Sequence, residues 1–521
     1  MAEVGLKKWM ITITVILCSM LELVDISIVN VAITDMMGNL GATINDVSWV
    51  IAAYAIANVI IIPMAGFLSE RFGRRNYFIT SVVVFTIASV CCGLSTSIWE
   101  LVAFRFVQGM AGGALLTTSQ TILVETFPEE ELGLANGLFG MGIIVGPTIG
   151  PTLGGVIVDN LSWHWIFFIN LPIGIIATIL AFSFIKSQAG YNPKAVKAKI
   201  DWLGIFLLII GIGSLQLMLE KGKEEEWFQS TFIIILTAIS IFGIIAFIVR
   251  MLRHKDPLVD LKILRHRNVS IGTFMAFILG FGLFGTVFIY PIFTQQILGY
   301  TATQTGELLI PGALLGGVSM PIVGKLVQKG ISPKYLIPIG FVVFATFTFL
   351  MASIITPNTD QGNFFIPLLL RGMGIGFLFL PLTILSLQGL KGRDVSQSAG
   401  LTNMMRQLGG SFGIAILATY LTNREQFNLE RIGLHLNSND PMVMQRVQNI
   451  INGFVAKGTN AFEAKQQAYR VLEGMLMKQA YLVTYIDTFI MLGVFFIACI
   501  PIVFLIKKYK VGGTEKQMPM P

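Results

Sequence analysis

The sequence has few charged residues for its length. Asp, Glu, Lys and Arg make up only 12% of its 521 residues, whereas about 25% is usual in soluble domains. Hydrophobic residues make up 54%, and the mean hydropathy is +0.75. A chain with so little polar surface cannot cover a water-facing exterior, so this composition excludes a soluble protein and indicates one that lies in a lipid bilayer.

Cysteine and histidine are also scarce, with four residues of each. The cysteines all fall inside apolar segments, where we expect small packing residues rather than disulfides, and the histidines are scattered without metal-ligand spacing. The sequence contains no G-x-x-x-x-G-K-[ST] motif to cradle phosphate and no nucleophile constellation. It therefore predicts no metal site and no cofactor, and it argues against an enzyme or an ATP-driven pump.

Long apolar runs are what the sequence does contain. Because lipid offers backbone groups no hydrogen bonds, only helices or closed barrels span a bilayer. Runs of about 18 to 25 residues fit helices, whereas barrel strands would alternate over about ten residues. We predict an all-α polytopic membrane protein with fourteen spans. The spans are predicted at about 9–33, 47–68, 77–95, 99–123, 134–158, 165–186, 202–220, 231–251, 269–293, 303–326, 335–355, 364–388, 397–421 and 482–506.

Lysine and arginine are distributed unevenly between the two ends of these spans. With the N-terminus in the cytoplasm, the inner segments hold 24 of them and the short outer loops hold only Lys221 and Lys223. The positive-inside rule then places both termini in the cytoplasm. The same distribution explains the net charge of +7 without nucleic acid as a partner.

A weak internal repeat divides the chain into halves. A basic loop that begins near a glycine follows the second span at Gly66 and the tenth span at Gly324, and an intramembrane arginine recurs at Arg105 and Arg371. Transporters built from such repeats place their substrate path between the halves, near the bilayer midplane. The predicted divisions are a six-helix bundle over 1–190, two central linker helices with cytoplasmic loops over 191–268, and a second six-helix bundle over 269–521 with an outer loop over 422–480.

The outer loop over 422–480 is the one sizeable region outside the predicted spans. Asp440 followed by Pro441 is typical of a helix start, and apolar residues then recur on one helical face. This pattern fits a capping ectodomain, a surface that docks a partner, or a pair of amphipathic helices lying against the outer rim.

Two carboxylates lie one turn apart in the first span. Glu22 and Asp25 share a sector of the helix with Asn30. An ionised carboxylate near mid-membrane costs about 2.5–3.5 kcal/mol, so neither should face lipid. A buried carboxylate can exchange protons near neutral pH, as coupling to a proton gradient requires. The alternative is an acid neutralised by a structural partner.

Other polar side chains interrupt the later spans. Arg105 begins a glycine-bearing face of the fourth span and, because guanidinium keeps its charge, it needs a carboxylate, carbonyls or water. We expect it to influence a nearby acid. Four further residues are each expected either to line the substrate path or to form structural salt bridges. They are Asn403, Arg406, Glu307 and Asp487.

The fifth span carries glycine at strict four-residue spacing. Such a ridge allows close helix packing, and the prolines remove backbone hydrogen bonds and loosen the helix. We predict a bendable helix at the moving interface of an alternating-access transporter. The residues are Gly142, Gly146, Pro147, Gly150 and Gly154, with Pro151 beside them.

Together these motifs resemble the major facilitator superfamily, and specifically its fourteen-span EmrB/QacA-type drug:proton antiporters. The loop after the second span matches the superfamily signature, with Glu70 where the family usually has aspartate. The segment that begins at Arg424 is similar to the EmrB side of the family. Further matches are 23–32, 105–113, 142–155, 163–174, 201–204 and 406–411.

The resemblance implies a proton-driven multidrug efflux transporter of the inner membrane that exports amphipathic or lipophilic compounds by alternating access. It also implies a periplasmic adaptor protein and an outer-membrane channel as partners. An exporter of a narrower substrate (fatty acid, bile salt or siderophore) and a proton-coupled uptake permease remain as alternatives. The gating loop that the resemblance implies comprises Gly66, Glu70, Arg71, Gly73 and Arg74.

Overall fold

The computed structural model describes residues 5–128, 131–186, 200–357, 359–390, 392–434, 436 and 440–507, and these contain helices but no β-strand. Basic residues of the predicted cytoplasmic segments at 187–199, at Lys391 and after 507 lie outside this range. The helices are α1 (Leu6–Ile28), α2 (Ile33–Leu40), α3 (Ile44–Phe72), α4 (Arg74–Gly93), α5 (Ile98–Thr126), α6 (Leu132–Asn160), α7 (Trp165–Phe168), α8 (Asn170–Phe184), α9 (Trp202–Lys221), α10 (Thr231–Arg253), α11 (Arg267–Ile292), α12 (Ala302–Gln328), α13 (Pro333–Ile354), α14 (Phe365–Leu387), α15 (Arg393–Gly433), α16 (Pro441–Ala456) and α17 (Ala461–Val503).

The predicted polytopic all-α fold is confirmed. Thirteen of the described helical segments are long and apolar enough to cross a membrane. The remaining predicted span, 397–421, is also helical and lies within α15, which packs against α3, α11 and α17. This segment is less apolar than the other thirteen because polar residues such as Asn403, Arg406 and Gln407 interrupt it. Asn403 donates to Gln120 of α5 and Arg406 donates to Asn403, so the segment tolerates these polar side chains inside the bundle.

The spans pack as two groups with a helical hairpin beside them. α1 and α3 to α8 contact one another, as do α11 to α15 with α17. The two groups meet mainly where α6 packs on α12 and where α3 packs on α15. At the first of these contacts, a Cβ atom on Gly133 would lie 2.7 Å from the Gly324 carbonyl oxygen, so only glycine permits this approach. α9 and α10 pair with each other, and α9 packs against both α3 and α15.

Two helices run far beyond a bilayer. At 1.5 Å per residue, the 41 residues of α15 and the 43 residues of α17 extend about 60 Å and about 65 Å, whereas the hydrocarbon core is about 30 Å thick. Asn428, near the end of α15, donates to Thr484 in the middle of α17 at 3.1 Å. α16 begins at the predicted Asp440–Pro441 cap, where Asp440 accepts from the Met442 amide at 2.8 Å, and it packs on α17.

The described residues of 422–480 therefore form a helical projection. Of the alternatives for this segment, a pair of separate amphipathic helices against the rim does not fit, because α15 and α17 each continue from a membrane span into this segment without a break. Only α16 is a separate helix there among the described residues.

Candidate functional site

The glycine ridge of α6 fixes the position of α1. A Cβ atom on Gly146 would lie 2.9 Å from the Leu23 Cβ, and one on Gly154 would lie 2.8 Å from Ile28. Gly142 and Gly150 face α1 in the same way. The four glycines of the ridge therefore pack inside the first half, and a different face of α6 meets α12. That this helix bends when the halves move stays a prediction.

Asp25 lies at the centre of a sealed hydrogen-bond network. Its side chain is fully buried. Its Oδ2 accepts from Arg105 Nη1 at 2.5 Å. Its Oδ1 accepts from Gln108 Nε2 at 2.8 Å and from Asn170 Nδ2 at 2.9 Å. Three donors and one full positive charge surround this acid, which is the arrangement that stabilises an ionised carboxylate away from water.

Arg105 is held as firmly as its partner acid. The same Nη1 donates to Gln108 Oε1 at 2.9 Å, and the guanidinium lies 4.1 Å from the centre of the Tyr54 ring. Arg105 itself is 2% exposed. The sequence predicts that this arginine influences a nearby acid, and the structure identifies the acid as Asp25. Asn170 was not predicted as a site residue, although its segment, 163–174, resembles a family motif.

Glu22 has a different environment one turn away. Its side chain is 1% exposed, and its Oε1 accepts from Asn58 Nδ2 at 2.9 Å. Its Oε2 has no hydrogen-bond partner among the described residues. Glu22 forms no salt bridge with any described lysine or arginine. This carboxylate therefore keeps an acceptor free for another group.

Glu22 lines a small cavity between the two halves. The cavity offers only about 10 Å³ to water, which is room for a single molecule. Both a carboxylate and a guanidinium border it, in an otherwise mainly apolar wall. The lining residues are Glu22, Leu23, Ile26, Ile62, Leu116, Ile143 and Pro147 from the first half, and Leu283, Phe284, Asn403, Arg406 and Gln407 from the second.

Arg406 and Asn403 form the second half's polar side of the cavity. Arg406 Nη2 donates to Asn403 Oδ1 at 2.6 Å, and its guanidinium lies 4.9 Å from the Phe379 ring centre. Asn403 in turn donates to Gln120 of α5 at 3.1 Å. This last bond joins the two halves directly. The halves therefore cannot separate on this side of the cavity while the bond persists.

Three predicted site residues lie elsewhere. Asn30 is exposed and lies in the 3₁₀ turn over Val29–Val31 that follows α1. Glu307 is exposed near one end of α12. Asp487 forms the structural salt bridge, with Arg424 Nε 2.7 Å from its Oδ2, at the base of the projecting helices.

The gating loop joins the halves where α3 ends and α15 begins. Glu70 pairs with Arg393 of α15 at 3.3 Å, and Arg74 pairs with Glu125 of α5. A Cβ atom on Gly66 would lie 3.3 Å from Ser396 and Gln397. Gly73 has a φ of +82°, which permits the sharp turn between α3 and α4. Arg71 lies in the last turn of α3. The structure is therefore closed at this end.

Two helical halves around a buried polar site, with a cavity at their interface, are the architecture expected of a membrane transporter built from two repeats. The comparisons with known proteins agree. Residues 15–414 match the description "Major Facilitator Superfamily". The chain belongs to the major facilitator superfamily, so it is a transporter.

Individual relatives cover most of the chain. It is 36% identical to the multidrug export protein EmrB of Escherichia coli K12, over 84% of this chain and 85% of that protein. It is 33% identical to the fatty acid resistance protein FarB of Neisseria gonorrhoeae, over 95% and 96%. The crystal structure of the human organic anion transporter MFSD10 shares the fold, with a TM-score of 0.57, 14% identity, and coverage of 79% and 93%.

Proposed function

We propose that this transporter is a proton-driven multidrug efflux pump that exports amphipathic and lipophilic compounds by alternating access. The observation that carries the proposal is the pair of buried carboxylates on α1, with Asp25 in an ion-pair network and Glu22 on the cavity wall. The identity to EmrB over most of both chains supports export of many compounds.

Asp25 is the proposed proton carrier. In the ionised state it compensates the charge of Arg105, and protonation removes that compensation. The guanidinium must then find other acceptors, so the network that holds α1, α5 and α8 together rearranges. One proton moving down 100 mV supplies about 2.3 kcal/mol, which sustains roughly fortyfold enrichment of a neutral substrate.

The cavity between the halves is the proposed substrate site. Drug-sized pockets measure about 300–1,000 Å³, far more than the cavity holds in this closed structure. Separating the halves would enlarge it, with an apolar wall for lipophilic groups and with Glu22 and Arg406 for charged ones. We assign the closed end, at Glu70 and Arg393, to the cytoplasm. This assignment follows the charge distribution, which also puts both termini there.

The projecting ends of α15 and α17 are the proposed docking site for a periplasmic adaptor protein, which would hand substrates to an outer-membrane channel. Exposed apolar side chains on this projection include Leu434, Met442 and Phe462. Polar replacements at these three positions should abolish co-purification with the adaptor and leave transport by the purified protein unchanged. Co-purification at the unmodified level would refute the docking site.

Export of fatty acids is a second candidate function. The identity to FarB extends over 95% of this chain, and Arg406 on the cavity wall could receive a carboxylate head. A susceptibility panel of cationic, neutral and fatty-acid amphiphiles, on a strain that lacks the gene, distinguishes this function from multidrug export. Sensitivity confined to fatty acids favours the narrower exporter.

Inverted membrane vesicles test the proposal directly. An imposed proton gradient should drive a fluorescent lipophilic cation into vesicles that contain the protein, and an uncoupler should abolish the accumulation. Accumulation that persists with the uncoupler would contradict proton coupling. An acid pulse that drives substrate into right-side-out cells would instead favour an uptake permease.

A further inference from the structure

Arg371 is a buried charge without a counter-charge. It lies on α14 and is 3% exposed. Its Nε donates to Thr286 Oγ1 of α11 at 3.0 Å. Within the described ranges, no carboxylate lies at salt-bridge distance from it. The function proposed above gives this arginine no role.

The other two buried intramembrane arginines are compensated. Arg105 pairs with Asp25 at 2.5 Å. Arg406 bonds Asn403 and shares its cavity with the carboxylate of Glu22. A guanidinium does not lose its proton in proteins, and a buried charge without a partner is strongly destabilising. Arg371 has no such carboxylate within the described ranges, so a bound anion would supply the compensation that the other two arginines have.

Tyr290 adds an unused hydrogen-bond donor at the same place. Its side chain is 1% exposed, and its hydroxyl has no partner among the described residues. It lies four residues after Thr286 on α11, so both side chains project from one helical face, the face that accepts the hydrogen bond of Arg371. Thr286 already donates to the Gly282 carbonyl at 2.7 Å, so its oxygen serves Arg371 as an acceptor only.

We propose that α11 and α14 bind a small monovalent anion, chloride in the cell, between the Arg371 guanidinium and the Tyr290 hydroxyl. Both groups donate hydrogen bonds, and a single negative charge neutralises the arginine. The buried Phe364 ring packs beside this place, 5.9 Å from that of Tyr290.

Thermal unfolding of the purified full-length protein tests this site. Sodium chloride replaces sodium gluconate at constant ionic strength, and the unfolding temperature of the unmodified protein should rise to a plateau. Bromide should substitute for chloride. Tyr290→Phe removes one donor and keeps the ring, so we expect an apparent affinity about tenfold weaker. Tyr485→Phe, at another buried tyrosine of the same half, should leave the affinity unchanged.

Arg371→Gln provides the complementary test. It removes the charge that attracts the anion, so the chloride dependence should disappear, while the unfolding temperature in gluconate should not fall below that of the unmodified protein. A flat response of the unmodified protein to chloride would overturn the proposal. So would a chloride response of equal strength in the unmodified protein, Tyr290→Phe and Arg371→Gln.

Discussion

Asp25 and Glu22 lie three residues apart on the same helix, yet their surroundings differ completely. Asp25 accepts three hydrogen bonds and pairs with Arg105. Glu22 accepts one hydrogen bond and faces the cavity between the halves with its other oxygen free. The proposed function assigns the two acids different roles to match: the sealed acid changes charge with the proton, and the cavity acid meets the substrate.

The helix itself produces this division. Three residues advance about 300° around an α-helix, so the two carboxylates diverge by about 60°. One sector of α1 meets α5 and α8, which supply Arg105, Gln108 and Asn170. The neighbouring sector meets the cavity. Each prediction below tests a part of this contrast.

The largest effect should come from breaking the pair between Asp25 and Arg105. Asp25→Asn or Arg105→Gln leaves one charge buried without its partner, so each should lower the free energy of unfolding by about 3–5 kcal/mol. The double variant should lose clearly less than the sum, because neither charge then remains. The free energy of unfolding is measured in increasing concentrations of a denaturing detergent for the unmodified protein, the two single variants and the double variant. Additive losses would show that the two residues are not coupled.

The next largest effect should come from displacing α1. A Cβ atom on Gly150 would lie 3.0 Å from the Val24 carbonyl oxygen, so Gly150→Leu pushes α1 away and disturbs both carboxylates. We expect substrate export to fall at least tenfold, measured in vesicles at equal protein levels. Gly453→Leu is the matched control, since no atom lies within 4 Å of that position. Equal activity of the two variants would contradict the role of the ridge.

A smaller and selective effect is expected at Glu22. Glu22→Gln keeps the shape and removes the charge that faces the cavity. Export of cationic substrates should fall about tenfold, which corresponds to about 1.4 kcal/mol, while export of neutral amphiphiles should stay within about twofold. Glu307→Gln changes an exposed carboxylate outside the cavity and serves as the control. A uniform loss for both substrate classes would assign Glu22 to coupling instead.

The smallest effect should come from the gating loop. Glu70 and Arg393 are 27% and 40% exposed, and such partly exposed pairs contribute at most about 1 kcal/mol. Arg393→Gln should therefore change the export rate no more than about fivefold. If the two side chains affect the rate only as a pair, the double variant with Glu70→Gln should have the same export rate as Arg393→Gln alone. Independent effects of the two changes would remove this pair from the gate.

Hydropathy and motif spacing predict much of this architecture, because a bilayer imposes span length and internal hydrogen bonding. They also identify Asp25, Glu22 and Arg105 as buried ionisable residues. They cannot predict which helix faces the glycine ridge of α6, since glycine permits close approach on either side. Neither can they foresee that Asn30 lies in an exposed 3₁₀ turn after α1, or that Asn170 reaches Asp25, because both depend on tertiary packing.

The central claim is that Asp25 couples the proton to transport and is not required for transport itself. Proteoliposomes containing Asp25→Asn measure both processes in one preparation: accumulation driven by a proton gradient, and downhill flux of the same substrate without a gradient. The account predicts that accumulation is lost and downhill flux persists, which also shows that the variant is folded. Accumulation at the unmodified level by Asp25→Asn would contradict it.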